Sequence, residues 1–382
     1  MARSAPPPRH APRRRTLPIR RIDAARHLLH PRQMRDSLTL ARQPYWRNAS
    51  LAGLQSAAAA AIALPLVYLS PWSHLIGYAA LGTLVALFGR YAPARARNRI
   101  LLLATLTQTL AVFVMSATGW LGMALAAKLL LLTLACGIFF FVAVAGRFGP
   151  PGPLIFIFAA GAAMRNPTSL LDVLERSAIT AAVALLAWAI CAATEHFRHH
   201  PPREDPPPPS PAHSSPDLLI ASTRSAVAAG IAAFTSYAFG AAYPFWAAMG
   251  ALAVLQGAHL HIGMNRALQR MAGTVAGAIL VWLILAQNPS FWVVFAILVV
   301  LQYVTEVIIG FNYGLGQILV TPMALLMTRL AVPGVDGTAM VSERILDTLL
   351  GAAIGITIAV LWSSLEERRQ LARHAEHLRK SA

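Results

Sequence analysis

Two arginines begin apolar segments at positions where they could hold an anion inside a membrane. Arg176 and Arg344 lie 168 residues apart, and each is preceded by a glutamate and followed four residues later by a threonine. A charged side chain within an apolar segment is costly, so it is by default a candidate for function. Because a helix N-terminus is already positive, an arginine there is unfavourable unless an anion lies near it. The pattern therefore predicts a negative partner for both arginines.

Two interpretations of that partner stay open. In the first, Glu175 and Glu343 supply the negative charge, and Asp347 pairs with Arg344 three residues away on the helix. In the second, the guanidinium groups and the free N–H groups at the helix start line a translocation path and bind a carboxylate substrate. The second interpretation assigns six residues to the substrate path: Arg344, Asp347, Thr348, Arg176, Thr180 and Lys128.

Two further ionisable residues lie within apolar segments. Lys128 either extends its ammonium group to the outer surface or presents a cation to an anionic solute. Glu306 lies near the inner end of its segment, VVLQYVTEVIIGF. It is either a proton-coupling carboxylate or an interfacial residue paired with a cytoplasmic arginine.

A basic turn followed by small residues has the pattern R-x-x-x-R-x-x-G-T-x-x-G. The small residues permit close helix contact, and the arginines lie where the inner leaflet begins. Helix packing with inside anchoring is one interpretation, and a gate or a point of solute access is the other, for Arg266, Arg270, Gly273 and Thr274. His259 and His261 have metal-like spacing without an evident third ligand, so neither a metal site nor a cofactor is predicted.

Composition excludes most other classes of protein. Of the 382 residues, 57% are apolar and only 12% are charged, whereas soluble domains carry roughly a quarter charged residues. The net charge of +17 comes largely from arginines that flank apolar segments, which indicates membrane topology and not nucleic-acid binding. HExxH, Walker A and GxSxG patterns are all missing, so we predict no enzyme.

Twelve apolar segments predict an all-α polytopic membrane protein with about 12 transmembrane helices. A helix needs roughly 20 residues to cross a bilayer, or somewhat fewer when it is packed among neighbouring helices. The first six lie near Ala49–Leu69, Ser73–Gly89, Arg99–Ala117, Leu121–Gly146, Gly152–Met164 and Leu171–Thr194. The second six lie near Leu218–Phe239, Pro244–Gly257, Ala267–Ala286, Phe291–Ile309, Tyr313–Leu330 and Glu343–Trp362.

The two sets of six segments repeat one plan. Tyr78–Gly89 (YAALGTLVALFG) and Trp246–Gly257 (WAAMGALAVLQG) are identical at six of twelve positions. Further matched pairs are Arg99 with Arg266, Thr107 with Thr274, Arg176 with Arg344, and Thr180 with Thr348. An even number of spans per half makes the halves parallel repeats, related by an axis along the membrane normal.

Arginine-rich loops mark the cytoplasmic side of such a protein. When both termini are placed in the cytoplasm, nearly every arginine cluster falls inside, and the opposite loops carry almost no positive charge. The predicted units are a basic disordered tail (1–48), a first membrane repeat (49–195), a proline-rich linker (196–217), a second membrane repeat (218–363) and a polar tail (364–382).

Three stretches of the chain resemble the fusaric acid resistance (FUSC) family, which includes the aromatic acid exporters. They are YPFWAAMGALAVLQG (Tyr243–Gly257), RALQRMAGTVAG (Arg266–Gly277) and RILDTLLGAAIG (Arg344–Gly355). The resemblance is strongest from about Leu218 to Trp362 and weaker in Ala49–Thr194. It implies an inner-membrane transporter that exports aromatic carboxylates or related toxic acids, in some members with a periplasmic adaptor subunit.

We therefore predict a multi-pass efflux transporter of the inner membrane for small organic anions such as fusaric acid-like aromatic carboxylates. Its partners are the lipid bilayer and the anion, and a homo-oligomer stays open. An ion gradient is the expected driving force, because the chain has no Walker A motif. A passive anion channel with the same cationic lining is the first alternative. A non-transporting membrane scaffold is the second.

Overall fold

The computed structural model describes residues 21–22, 28, 46–199, 215–257, 260–331 and 337–380, and within them every regular element is helical. Most of the predicted N-terminal tail (1–48) and most of the predicted linker lie outside the described residues, as does His259. The first six helices are α1 (Trp46–Tyr68), α2 (Ile76–Thr83, extended at both ends by 3-10 turns), α3 (Ala94–Trp120), α4 (Leu125–Ala145), α5 (Leu154–Ala162) and α6 (Leu170–Ala193). The others are α7 (Ser215–Ala238), α8 (Phe245–Leu255), α9 (Leu260–Ala286), α10 (Phe291–Ile308), α11 (Tyr313–Ala331), α12 (Gly337–Leu361) and α13 (Leu365–Lys380).

The twelve apolar segments are helical where the sequence predicts them, but their lengths differ. Nine of the described helices are long and apolar enough to cross a membrane. The segments at Ser73–Leu87, Leu154–Ala162 and Phe245–Leu255 are shorter. At 1.5 Å per residue, the 11 residues of α8 span about 16 Å, roughly half of the hydrocarbon core of a bilayer. The number of complete crossings supported by length is therefore nine among the described helices.

The short helices lie in the centre of the bundle. Every residue of α2 and of α8 is buried, and so is all of α5 after its first residue. The long helices surround them and turn leucine and phenylalanine side chains outward, as α3 does with Leu102, Leu106 and Leu110. Such an apolar exterior is compatible with lipid as the surrounding solvent.

The helices of the two halves pack in the same order. Helix α2 packs on α6 as α8 packs on α12, and α3 contacts α5 and α6 as α9 contacts α11 and α12. Across the halves, α4 packs on α7 as α10 packs on α1, and α5 meets α8 as α11 meets α2. Helices α3 and α9, which match in sequence, are both 27 residues long.

Glycines bring α8 and α12 into backbone contact. A Cβ atom added to Gly351 would lie 2.1 Å from the carbonyl oxygen of Ala247, and one added to Gly250 would lie 3.1 Å from the Cα atom of Gly351. The matching positions in the first half are Gly82 and Val183, so only one side is glycine there. The second half thus holds its short helix closer to the helix that carries Arg344.

Gly351→Ala is expected to destabilise the protein by about 1–3 kcal/mol, because the added methyl group meets backbone that cannot move away as a flexible side chain would. The measurement is the apparent unfolding temperature in detergent. Ala353→Val, an exposed position on the same helix, serves as the control and should leave that temperature nearly unchanged. Equal unfolding temperatures for the two variants would contradict the tight contact.

The chain ends in a helix where the sequence predicted only a polar tail. Helix α13 places Leu371 against Leu28, Leu260, Met264 and Val360. The remaining side chains on α13 that are described are largely charged or polar. The tail is thereby attached to α9 and α12 on one side of the bundle.

Candidate anion-binding site

Arg344 lies inside the bundle without a hydrogen-bond or ion-pair partner among the described residues. Its side chain is 0% exposed, and none of its three guanidinium nitrogens has a hydrogen-bond partner. It is the eighth residue of α12, about 10 Å along the axis from the helix start. An unpaired charge in such a place costs several kcal/mol, so the arrangement calls for a negative group that binds there.

A second buried arginine faces the same region from α9, which packs against α12. Arg270 is 2% exposed, and its charge acts on Arg344. Its Nη1 donates to the hydroxyl of Tyr313 at 3.2 Å and weakly to Oε1 of Gln317 at 3.5 Å, while its Nε and Nη2 have no partner. Two guanidinium groups therefore leave five nitrogens without acceptors in one buried region.

Oxygen atoms without hydrogen-bond partners lie about one helical turn from the two arginines, on Thr348 and Asp347 of α12 and on Thr274 of α9. The hydroxyl groups of Thr348 and Thr274 are buried and make no hydrogen bond. Asp347 accepts a hydrogen bond from the Ser236 hydroxyl at 2.6 Å through Oδ1, but its buried Oδ2 has no partner. Because a threonine hydroxyl can donate as well as accept, both threonines can add a hydrogen bond to an anion held by the arginines.

Aromatic rings form the apolar part of the site. The guanidinium carbon of Arg344 lies 5.3 Å from the ring centroid of Trp246, and Tyr243 stacks on Trp246 at 4.7 Å. The Trp246 side chain is fully buried, and its indole N–H has no acceptor. Cationic donors beside aromatic faces suit a ligand that carries a carboxylate on an aromatic ring.

The matching arginine of the first half is neutralised within its own helix. Arg176 donates from Nε and Nη2 to the two carboxylate oxygens of Asp172, both at 2.8 Å, and from Nη1 to the carbonyl oxygen of Arg165 at 3.0 Å. It lies 5.2 Å from the ring of Tyr78, as Arg344 does from Trp246. The position of Asp172 is occupied by Met340 in the second half, so Arg344 has no such carboxylate.

The two halves also differ in the hydrogen bonds of their matched threonines and in the presence of a second arginine. Thr180 donates to the carbonyl oxygen of Arg176 at 2.8 Å, and Thr107 donates to that of Leu103 at 2.7 Å. Their counterparts in the second half, Thr348 and Thr274, are the unpartnered hydroxyls of the site. Leu103 itself stands where the second half has Arg270. Of the two matched regions that the structure describes, only the one in the second half has this arrangement.

The carboxylates proposed from the sequence as partners of the two arginines are engaged elsewhere. Glu175 lies 3.5 Å from the imidazole of His74. Glu343 accepts a hydrogen bond from the backbone N–H of Tyr243. Asp347 bonds Ser236, and no ion pair within 4.0 Å joins it to Arg344 among the described residues. The charge of Asp347 acts on Arg344, but none of these carboxylates forms an ion pair with Arg344 among the described residues.

Lys128 neither extends to the surface nor lies beside Arg344. It is buried, and its ammonium group donates to the carbonyl oxygen of Met164 at 3.1 Å and to Oδ1 of Asn166 at 2.5 Å. Both acceptors follow the C-terminus of the short helix α5, where a positive charge is favourable. Through these two hydrogen bonds Lys128 stabilises the C-terminal end of α5.

Glu306 forms a buried ion pair with an arginine of the first half. Its Oε2 lies 2.6 Å from Nη1 of Arg90, and both side chains are buried. The pair joins α10 to the segment that follows α2, and near it Ser56 donates to Oε1 of Gln302 at 2.8 Å. Of the two interpretations drawn from the sequence, the structure supports the one in which Glu306 pairs with an arginine.

In the R-x-x-x-R-x-x-G-T stretch, the glycine serves helix packing, and the second arginine and the threonine belong to the candidate site. A Cβ atom on Gly273 would lie 2.6 Å from the carbonyl oxygen of Gly314, so this glycine seats α9 against α11. Arg266 is partly buried, 6.0 Å from the ring of Tyr313, nearer the helix start than Arg270. Arg270 is buried ten residues into α9, so its guanidinium group lies inside the bundle and not on its surface.

Sequence reasoning missed several members of the site. Trp246 lies in the repeated stretch that revealed the two halves, but nothing in its spacing marks it as a neighbour of Arg344. Tyr313, Gln317 and Ser236 come from α11 and α7, far away in the chain. The available signal was the repeat itself, since Tyr78 and Trp246 both precede an arginine by 98 residues. Within the described residues, no cluster of three or more His, Cys, Asp or Glu could hold a metal ion.

The second half of the chain matches a known family. Residues 231–358, about a third of the chain, match the family described as "Fusaric acid resistance protein-like". The match includes both buried arginines, Asp347, the two unpartnered threonines and Trp246. The resemblance stated from the sequence motifs is therefore confirmed over these residues.

A curated relative gives a partial match. The chain is 32% identical over 133 residues to "Uncharacterized membrane protein YvaC" of Bacillus subtilis (strain 168), which is 35% of this chain and 21% of the relative. The match thus spans about a fifth of the relative's length. No solved structure matches the chain. Together with the nine long apolar helices, these findings identify an integral multi-pass membrane protein.

Proposed function

We propose that the protein is a transporter for small organic anions, and that aromatic carboxylates are its substrates. The family match over residues 231–358 is consistent with transport. The proposal places the negative group of the substrate between Arg344 and Arg270, with its ring against Trp246 and Tyr243. Charge-assisted hydrogen bonds from guanidinium groups are the strongest that side chains offer to a carboxylate.

One observation carries the proposal. The arginine and the two threonines that lack hydrogen-bond partners in the second half have counterparts in the first half that are hydrogen-bonded. At three matched positions, Arg176, Thr180 and Thr107 make hydrogen bonds, whereas Arg344, Thr348 and Thr274 have no hydrogen-bond partner among the described residues. A purely structural arginine could have been neutralised in the second half as it is in the first. Keeping an unpaired charge buried is costly, which favours a ligand as the missing partner.

The wider architecture is proposed on the same grounds. We infer twelve helices in two parallel repeats of six, with both termini on the cytoplasmic side of the inner membrane. The support is the shared order of helix packing in the two halves and the arginines of the loops. Half-length helices in the core are a feature of transporters, in which such helices surround the substrate site. We propose a carrier driven by an ion gradient, with no enzymatic activity.

The test is transport by the purified full-length protein in liposomes. We expect the protein to move benzoate across the membrane, to be inhibited by other aromatic carboxylates, and to be insensitive to an uncharged analogue such as benzamide. Liposomes with and without a pH gradient distinguish a coupled carrier from a passive channel, because a channel conducts without the gradient.

Protein-free liposomes and liposomes with the Arg344→Gln variant are the controls. Benzoate flux no greater than that of the controls, in correctly inserted protein, would refute the proposed function. Equal flux of benzoate and benzamide would also refute it, since the site was assigned by its charge.

A further inference from the structure

Asp347 places one negative charge inside the site without forming an ion pair there. Its Oδ1 is bonded to Ser236, and its Oδ2 is buried and unpartnered. The charges of Asp347 and Arg270 both act on Arg344. Two guanidinium groups and one carboxylate leave the site one positive charge in excess.

We propose that Asp347 sets the charge of the anion that the site accepts, so that the site selects aromatic monocarboxylates over aromatic dicarboxylates. This inference rests on the proposed function and adds the substrate charge to it. One carboxylate brings the site to neutrality, whereas a second carboxylate on the same ring meets a negative side chain already held in place. Like charges repel strongly where water is excluded.

Among the described residues, the two further charged groups that act on this region, Glu343 and Arg165, have opposite signs and leave this count unchanged. Helix α8 has no charged residue, and the described part of α7 places Ser236 beside Asp347. On α11, Tyr313 is the ionisable group that acts on Arg344. Glu343 lies on the same helix as Asp347, and its charge acts on Asp347, but it is partly exposed and bound to the N–H of Tyr243. The exposed Arg165 acts on the same tyrosine with the opposite charge. Arg266 is partly exposed and nearer the start of α9.

The first half of the chain supports the role of Asp347 by contrast. Ile179 stands at the matching position, and the carboxylate of that half, Asp172, lies one turn before its arginine and chelates it. Asp347 lies on the other side of its arginine, three residues later, and leaves the guanidinium free. Asp347 can therefore act electrostatically on an anion bound to Arg344 without taking the place of that anion.

The experiment compares binding of benzoate and isophthalate, a monoanion and a dianion on the same ring at pH 7.5. Isothermal titration of the full-length protein in detergent gives both dissociation constants. We expect the wild type to prefer benzoate by on the order of tenfold or more, and Asp347→Asn to reduce or invert that preference by a similar factor. Asp347→Glu restores the negative charge and should restore the preference.

Glu366→Gln is the matched control, because it removes one negative charge from the exposed part of α13. It should keep the wild-type ratio. A wild-type protein that binds isophthalate more tightly than benzoate would overturn the inference, even if Asp347→Asn did not fold. An unchanged ratio in a folded Asp347→Asn variant would overturn it as well, and so would an equal loss of both ligands. A wild type that binds neither acid would refute the proposed function along with the inference.

Discussion

Replacing Arg344 with glutamine is expected to weaken binding of an aromatic carboxylate by on the order of 100-fold, because truncating a buried charge-assisted partner costs about 2–5 kcal/mol. Benzoate flux in liposomes should fall to the level of protein-free controls. Binding by isothermal titration and flux measure the two effects separately. The variant keeps a polar side chain of similar shape, so a loss of binding reports the missing charge.

The stability of the same variant separates a binding role from a structural one. Arg344 is fully buried and its three guanidinium nitrogens have no hydrogen-bond partner among the described residues, so a neutral replacement removes a buried charge that forms no ion pair. We expect the unfolding temperature without ligand to be unchanged or higher. A variant that unfolds earlier than the wild type and binds benzoate normally would contradict the assignment of the site.

Arg176→Gln is the control for both measurements, since it changes the matching residue of the first half. It breaks a partly exposed pair with Asp172, which is worth about 1 kcal/mol or less. We expect a small decrease in unfolding temperature and benzoate affinity close to that of the wild type. A loss of affinity equal to that of Arg344→Gln would mean that both halves contribute a site.

Glu306→Gln is expected to destabilise the protein by about 3–5 kcal/mol, because it leaves the charge of Arg90 buried without a partner. The measurement is the apparent unfolding temperature in detergent. Replacing both partners by methionine should recover most of the loss, since an apolar pair of similar volume removes both buried charges.

The double variant also tests whether Glu306 carries protons. If the methionine pair folds and still transports benzoate in response to a pH gradient, the glutamate is structural. If flux persists but no longer responds to the gradient, the coupling role predicted from the sequence is supported. Single and double variants with the same unfolding temperature would contradict a buried ion pair that links the two halves.

The helices of this fold could be predicted from the sequence. The positions of all twelve apolar segments follow from hydropathy, because a helix that faces lipid must be apolar along its whole length. Their lengths were harder to predict. Ser73–Gly89 and Pro244–Gly257 are apolar throughout, but the helices that form there are short and wholly buried, since their neighbours are other helices and not lipid.

The charged residues were found as candidates, but their partners were not. Arg176 and Arg344 share a preceding glutamate and a threonine four residues later, and both were predicted to lie on the substrate path. The difference depends on Asp172, four residues before Arg176, whose counterpart is a methionine. Lys128 was grouped with these arginines, although it bonds groups that follow α5, 36 and 38 residues further along the chain.

The sequence alone determined that this is a helical membrane protein, it predicted two halves with one plan, and it indicated Arg344 as the residue most suited to an anion. Periodicity and hydropathy are local properties, so they can be read along the chain. Only the tertiary structure decided that Arg270 and Trp246 join Arg344 and that Glu306 pairs with Arg90. Whether a buried charge is neutralised depends on side chains that come from distant helices. That arrangement is fixed by packing, which the linear pattern does not encode.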